Sequence, residues 1–225
     1  ARRDARKLLF DFMKRMYRRP IDETEVNAYL AIFERSQELG RDFTDSIIAA
    51  CSTILCSSDF LYLDSKPGPL SQGQLASRLS FFLWNSPPDE ALVQSKRLAK
   101  AEMMHEQTDR LLDDPRAERF INSFLDYWLD LRDILANAPD ATLYPDYYLD
   151  DELTEASVFE TRAFFAELIA KDLPARNVVH SDFIFANERL ANLYGLEPFE
   201  GIKLRKASLP KDSPRGGLMT QASVL

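Results

Sequence analysis

DPRAERFINSFLDYWLDL, residues 114–131, sets the fold class of this chain. Asp114 can accept hydrogen bonds from the free amides at a helix start, and Pro115 suits the first helical position because its missing N–H costs nothing there. Apolar side chains then recur at the three- and four-residue spacing of one helix face. They are Ala117, Phe120, Ile121, Phe124, Leu125, Trp128 and Leu131. The pattern predicts an aromatic helix whose apolar stripe packs against several other segments.

The same signals predict helices along most of the chain. Two capping boxes, Asp22 with Glu25 and Ser71 with Gln74, mark helix starts, and Gly195 marks a helix end. The predicted helices cover residues 4–18, 22–40, 42–55 or 44–55, 71–86, 89–97, 100–113, 114–131, 149–171 and 187–194. Alternating strand patterns are nearly absent. We therefore predict an all-α fold, an irregular bundle of about eight helices with Pro/Gly-rich loops.

The strongest internal break is the sequence KPGP at 66–69. It predicts an N-terminal helical sub-domain at 1–65 and a larger helical sub-domain at 66–225. The last ten residues, GGLMTQASVL, are apolar. This ending leads to the expectation that the natural polypeptide continues and that the second sub-domain is truncated at its C-terminal end.

The net charge is −8, which argues against binding to nucleic acid because contact with phosphates needs a basic face. The first twenty residues are nevertheless basic. They contain Arg2, Arg3, Arg6, Lys7, Lys14, Arg15, Arg18 and Arg19. We expect this face to form salt bridges with the acidic remainder, and contact with a polyanion or a membrane surface is the alternative. No apolar run approaches the ~20 residues of a transmembrane segment.

The sequence carries no motif for a metal, a cofactor or a nucleophile. His105 and His180 are far apart, and Cys-x-x-Cys, His-Glu-x-x-His, Gly-x-Ser-x-Gly and Gly-rich phosphate loops are missing. A zinc or haem site made by this chain alone is therefore not expected.

Carboxylates offer the remaining route to catalysis. A glycosidase-type pair requires two of them ~5–10 Å apart, and Asp182 and Glu188 are the candidate acid and base, with Asp130 and Asp146 as further members. Each can equally be a helix cap, a loop residue or a surface charge. Glu188 and Arg189 lie within the apolar segment DFIFANERLANLYG, where they form either a structural ion pair or cap, or a ligand-facing cluster.

Several motifs resemble known families. Those of the second sub-domain, residues ~70–225, resemble the planctomycete-type domain-of-unknown-function family 1592: LASRLSFFLWNSPPDEAL, FINSFLDYWLDL, SDFIFANERLANLYG and PRGGLMTQASVL. Residues 5–63, which include MYRRPIDETEVNAYLAIFERSQELG, resemble the companion family 1595. Together the two resemblances cover nearly the whole chain.

The resemblance implies a part of a large exported bacterial protein with c-type haem motifs in flanking domains. It therefore implies a periplasmic or extracytoplasmic location and a role near electron transfer or oxidative breakdown of polymers. The family supplies no catalytic residues. If a flanking haem packs on this chain, Arg189, Tyr194 and Arg215 are the residues expected to meet it.

These expectations lead to three functional hypotheses. The first is a haem-free helical scaffold or docking domain whose partners are flanking domains or subunits carrying haem c. The second is an enzyme domain that acts on a carbohydrate or other polymer through Asp182 or Glu188. The third is a peroxidase-like role in which a flanking domain supplies the haem.

Overall fold

The computed structural model describes residues 1–62, 67–134, 136, 140–145, 150–197 and 200–224. The chain divides into two compact units, Ala1–Leu111 and Leu112–Leu225. The described residues contain ten α-helices, eight of them with seven or more residues, and one small sheet. The all-α prediction with about eight helices is confirmed. The division predicted at residues 65 and 66 lies outside the described residues and stays a prediction.

The helices and strands are numbered in chain order. The helices are α1 (Arg2–Tyr17), α2 (Glu23–Glu38), α3 (Phe43–Leu55), α4 (Ser58–Leu61), α5 (Gln72–Trp84), α6 (Glu90–Gln94), α7 (Ala101–Leu112), α8 (Glu118–Trp128), α9 (Asp151–Ala170) and α10 (Glu188–Tyr194). The strands are β1 (Phe183–Ala186) and β2 (Arg205–Ser208).

Helices α1, α2 and α3 form the main core of the first unit. On α1 the buried side chains recur every four residues, so that one stripe of the helix faces its neighbours. The core comprises Ala5, Leu9, Met13, Tyr17, Val26, Leu30, Phe33, Ala50 and Ile54. Both predicted capping boxes form, Asp22 with Glu25 at α2 and Ser71 with Gln74 at α5. Local sequence therefore fixes where these helices begin.

The basic amino terminus is partly neutralised by the rest of its unit. Arg2 pairs with Glu34 at 2.5 Å, and Arg6 pairs with Glu23 at 3.2 Å. Arg19 pairs with Glu25 at 2.6 Å. The expected pairing with acidic residues is confirmed for these three arginines.

In the second unit, α8 is less deeply buried than predicted. Asp114 caps a 3₁₀ turn at Pro115–Ala117 that leads into α8, so the predicted start is confirmed. Leu125 is fully buried, but Phe124 and Trp128 are 38% and 47% exposed. Phe124 stacks on Phe165 of α9, with ring centroids 5.4 Å apart. The aromatic rings are therefore covered on one side by α9, and their other sides face solvent.

A two-stranded sheet, whose strands are separated in sequence by helix α10, packs on α9 and was not predicted. Strands β1 and β2 pair antiparallel, with Phe183 opposite Ser208 and Ala186 opposite Arg205. Helix α10 follows β1, begins after the cap Asn187 and ends at Gly195, as predicted. Helix α9, β1 and α10 therefore bring their side chains together in one small core.

Candidate functional site

Helix α9 buries a carboxylic acid on its apolar face. Glu160 has no exposed surface, although the residues one turn before and after it on the same face are Ala156 and Phe164. Burial raises the pKa of Glu160 to about 8, and this effect outweighs the opposing effects of the Tyr194 hydrogen bond and the Arg215 charge. The carboxyl group is therefore largely protonated at neutral pH.

Tyr194, the last residue of α10, connects this carboxyl group to the C-terminal segment. Its hydroxyl donates to Glu160 Oε2 at 2.5 Å and accepts a hydrogen bond from the Ala222 amide at 2.9 Å. Burial is the largest cause that raises the pKa of Tyr194, and the neighbouring Glu160 raises it further. The phenol is therefore a neutral bridge between a helix and a chain segment distant in sequence.

Arg215 covers the other side of this bridge. Its guanidinium carbon lies 4.0 Å from the centre of the Tyr194 ring, a cation–π contact. Its Nη1 also donates to the carbonyl oxygen of Thr220 at 2.7 Å. Arg215 therefore holds both the aromatic ring and the turn that precedes Ala222.

A second set of hydrogen bonds joins α9 to the same segment. Thr161 donates to Gln221 Oε1 at 2.6 Å, and the hydroxyl of Ser223 lies 2.5 Å from that of Thr161. Glu160 Oε1 and Gln221 Nε2 are buried and have no hydrogen-bond partner among the residues that the structure describes. The polar side chains of α9 thus hold residues 221–223 in place. Not every polar atom of this network has a hydrogen-bond partner among the described residues.

Two glycines let the backbone approach closely before this segment. A Cβ atom on Gly216 would lie 2.6 Å from the carbonyl oxygen of Ser181. One on Gly217, whose φ is +84°, would lie 2.6 Å from the carbonyl oxygen of Val178. Only glycine fits at these positions without displacing backbone.

Two of the three residues expected to meet a flanking haem are brought together. Tyr194 and Arg215 are in contact, as described above. Arg189 instead approaches Asp150 at 3.4 Å and Glu152 at 3.6 Å at the start of α9. Its ion pairs support the structural alternative for the Glu188–Arg189 pair.

The candidate acid–base residues lie at opposite ends of a strand. Asp182 precedes β1 and Glu188 follows it, both exposed, and a four-residue strand spans roughly 13 Å. Glu188 accepts a hydrogen bond from the Gly201 amide at 2.9 Å. Asp130 lies 3.5 Å from Arg132, and Asp146 lies outside the described residues. A paired-carboxylate mechanism stays a prediction.

Comparison with family models identifies the chain. A model described as PSD4, protein of unknown function (DUF1592), matches residues 70–196, more than half of the 225 residues. The chain belongs to the DUF1592 family. Residues 4–64 also match a model described as PSD5, protein of unknown function (DUF1595). No curated protein and no solved structure matches.

Both predicted family resemblances are thus confirmed. The DUF1592 match includes Glu160 and Tyr194, whereas Arg215 and Ala222 lie beyond it. The buried network accordingly connects the matched region to residues that follow it in this chain.

Sequence reasoning overlooked Glu160 in this DUF1592 chain. The signal was available, because Glu160 falls four residues after Ala156 and four before Phe164 on the stripe that α9 buries. A carboxylate in such a stripe must find partners inside the protein. Among 36 acidic residues, this position on the helix face is what distinguishes it.

The described part of this DUF1592 chain contains no group of three or more His, Cys, Asp or Glu that could hold a metal ion. Within the same residues, no helix is long and apolar enough to cross a membrane.

Proposed function

We propose that this chain is a helical scaffold or docking domain, itself free of haem, of an exported multidomain protein of the c-type cytochrome kind. In this proposal, haem c is held by flanking domains or subunits, and the whole protein serves electron transfer or oxidative polymer breakdown in a periplasmic or extracytoplasmic location. Membership of the DUF1592 family supports it through the resemblance described above.

One observation supports the scaffold role. Polar side chains that could have bound a ligand instead contact other segments of this chain. Glu188 binds the Gly201 backbone, and Arg189 lies beside carboxylates of α9. Tyr194 joins Glu160 to Ala222, and Arg215 packs on Tyr194. Buried hydrogen-bonded networks of this kind favour one well-defined packing, which a scaffold requires.

The spectrum of the natural polypeptide tests the proposal. We expect a Soret band from haem in the flanking domains. We also expect its position and the haem reduction potential to stay unchanged in Arg189→Ala and Tyr194→Phe, because these residues hold protein segments. Tyr127→Phe serves as the control variant, since Tyr127 is 77% exposed.

Two results would overturn the proposal. One is the absence of a Soret band both from the natural polypeptide and from the subunits that copurify with it. The other is a shifted band or potential in Tyr194→Phe with folding intact, which would place Tyr194 against the haem. Loss of activity towards a polymer in Asp182→Asn or Glu188→Gln, without loss of stability, would favour the enzyme alternative instead.

A further inference from the structure

The first unit contains a cleft unrelated to the polar network of the second. It lies where the end of α1, the short helix α4 and the start of α5 meet, and its volume is about 360 Å³. Ligand pockets in proteins commonly measure ~300–1,000 Å³. Its charged lining residues are Arg18, Arg19, Arg78 and Asp59. Among the described residues, three guanidinium groups therefore share this cleft with one carboxylate, in a chain whose net charge is −8.

Arg19 lies between two carboxylates, and the group of Arg19, Asp59 and Glu25 carries one net negative charge. Arg19 forms a salt bridge with Asp59 and another with Glu25, the latter at 2.6 Å. The hydrogen bond to Glu25 is the largest cause that raises the pKa of Arg19. Arg18 and Arg78 add two positive charges, so the described charged groups in and beside the cleft sum to +1.

Arg18 is a partly buried cation that contacts neutral groups. Its Nη2 donates to the carbonyl oxygens of Phe60 at 3.0 Å and Asp59 at 3.3 Å, and its guanidinium carbon lies 5.2 Å from the centre of the Phe81 ring. Burial lowers the pKa of Arg18. No carboxylate lies within salt-bridge distance of it among the residues that the structure describes.

Arg78 supplies the second uncompensated charge. It lies on α5, one turn after Gln74, and its side chain is exposed. Within the described ranges it has no ion-pair partner. Tyr17, Pro20 and Tyr62 add apolar surface to the same cleft. An occupant that complements this lining carries negative oxygens on a body with some apolar surface.

We propose that this cleft binds a small ligand through its oxyanion group, a carboxylate, sulfate or phosphate, with Arg18 and Arg78 as the counterions. A guanidinium group presents N–H donors in a planar fork that matches the geometry of such groups. The ligand would supply the negative charge that the described part of the chain does not place beside these two side chains. The site goes beyond the proposed scaffold function and does not depend on it.

Nuclear magnetic resonance titration of the whole chain tests the site. The probes are acetate, sulfate and inorganic phosphate, each added at constant ionic strength. We expect at least one of them to give saturable shifts of the Gly73 and Ser77 amides, which line the cleft. A response to acetate alone identifies a carboxylate ligand, and a response to sulfate or phosphate identifies a tetrahedral oxyanion.

Arg78→Gln is the test variant, because Arg78 is exposed and forms no ion pair among the residues that the structure describes. We expect it to weaken the apparent affinity at least about tenfold. Arg3→Gln is the matched control, an exposed arginine of α1 without an ion pair among the described residues. Shifts that rise without saturation for all three anions, or an equal loss in both variants, would overturn the proposal.

Discussion

The hydroxyl of Tyr194 donates a hydrogen bond to Glu160 at 2.5 Å while accepting one from the Ala222 amide at 2.9 Å. A single phenolic oxygen thus links α9, α10 and the C-terminal segment inside the protein. Because each of its partners is part of the chain itself, we assign this network to the stability of the second unit.

Removal of that oxygen should be costly. Tyr194→Phe removes the hydroxyl group that donates to the buried Glu160 carboxyl group and accepts from the Ala222 amide. We expect the free energy of unfolding of the unit Leu112–Leu225 to fall by roughly 2–4 kcal/mol. Urea unfolding followed by circular dichroism measures the change. In the control Tyr127→Phe the side chain is exposed, and the expected change is below about 0.5 kcal/mol. Equal stability of the two variants would contradict the assignment.

The buried carboxyl group should make stability depend on pH. Its pKa is about 8 in the folded protein and near the ordinary 4.5 in the unfolded chain, so the folded state binds more protons between these values. Stability therefore falls as pH rises through this window and levels off above about pH 8. The full change is on the order of 5 kcal/mol, because one pKa unit corresponds to about 1.4 kcal/mol.

Glu160→Gln removes this dependence. The amide is nearly isosteric with the carboxyl group and can still accept from Tyr194, so the variant should be more stable than the parent at pH 8–9 and lack the decline from pH 5 to 8. Glu155→Gln, at an exposed position of the same helix, should follow the parent. Urea unfolding at several pH values makes the comparison. A decline that persists unchanged in Glu160→Gln would show that other groups cause it.

The paired glycines before the C-terminal segment allow a steric test. Gly217 and Gly201 have nearly the same φ, +84° and +86°, but a Cβ on Gly201 would have no neighbour within 4 Å. A positive φ strains alanine at both positions by ~1–3 kcal/mol, and Gly217, at ψ 173°, lies in a region that essentially only glycine adopts. Gly217→Ala additionally forces the Val178 backbone away, so it should lose at least about 1 kcal/mol more in unfolding experiments. Equal losses would mean that this close approach is absent.

Comparison of sequence and structure shows which kinds of inference succeed. The starts of α2 and α5 were predictable because Asp22 and Ser71 bond to amides within the next turn, which is a local interaction. Strand β2 could not be predicted in this way, since the sequence RKAS at 205–208 forms a strand by pairing with β1, about twenty residues earlier. Pairing of distant segments leaves little trace in either segment alone.

The candidate site shows the same contrast between features that the local sequence predicts and features that depend on packing of distant segments. Tyr194 and Arg215 were named from the sequence for a role beside haem, and the structure places them in contact with each other. Their shared partner Glu160 was overlooked, because burial of one carboxylate among 36 depends on which face of α9 packs inward. The depth of α8 was overestimated for a similar reason. Helical spacing identifies a stripe, but the width of the neighbouring helix determines how much of Phe124 and Trp128 it covers.

The two tryptophans of the chain allow a buried and a partly exposed aromatic side chain to be compared. Trp84 is fully buried, and its indole N–H donates to the Leu111 carbonyl oxygen at 2.8 Å, whereas Trp128 is 47% exposed. Trp84→Phe should cost roughly 2–4 kcal/mol through lost contacts and an unpaired carbonyl. Trp128→Phe should cost below about 1 kcal/mol. Thermal unfolding by circular dichroism tests the order, and the reverse order would refute it.

Hydrogen exchange of the C-terminal segment distinguishes a structural network from a ligand-binding cluster. Peptides covering residues 217–224 should be protected in the parent protein and in Tyr127→Phe. In Tyr194→Phe they should exchange at least tenfold faster, while peptides from the centre of α9 keep their protection. If exchange at 217–224 is the same in Tyr194→Phe as in the parent, Tyr194 does not hold this segment, and the scaffold interpretation of the network is wrong.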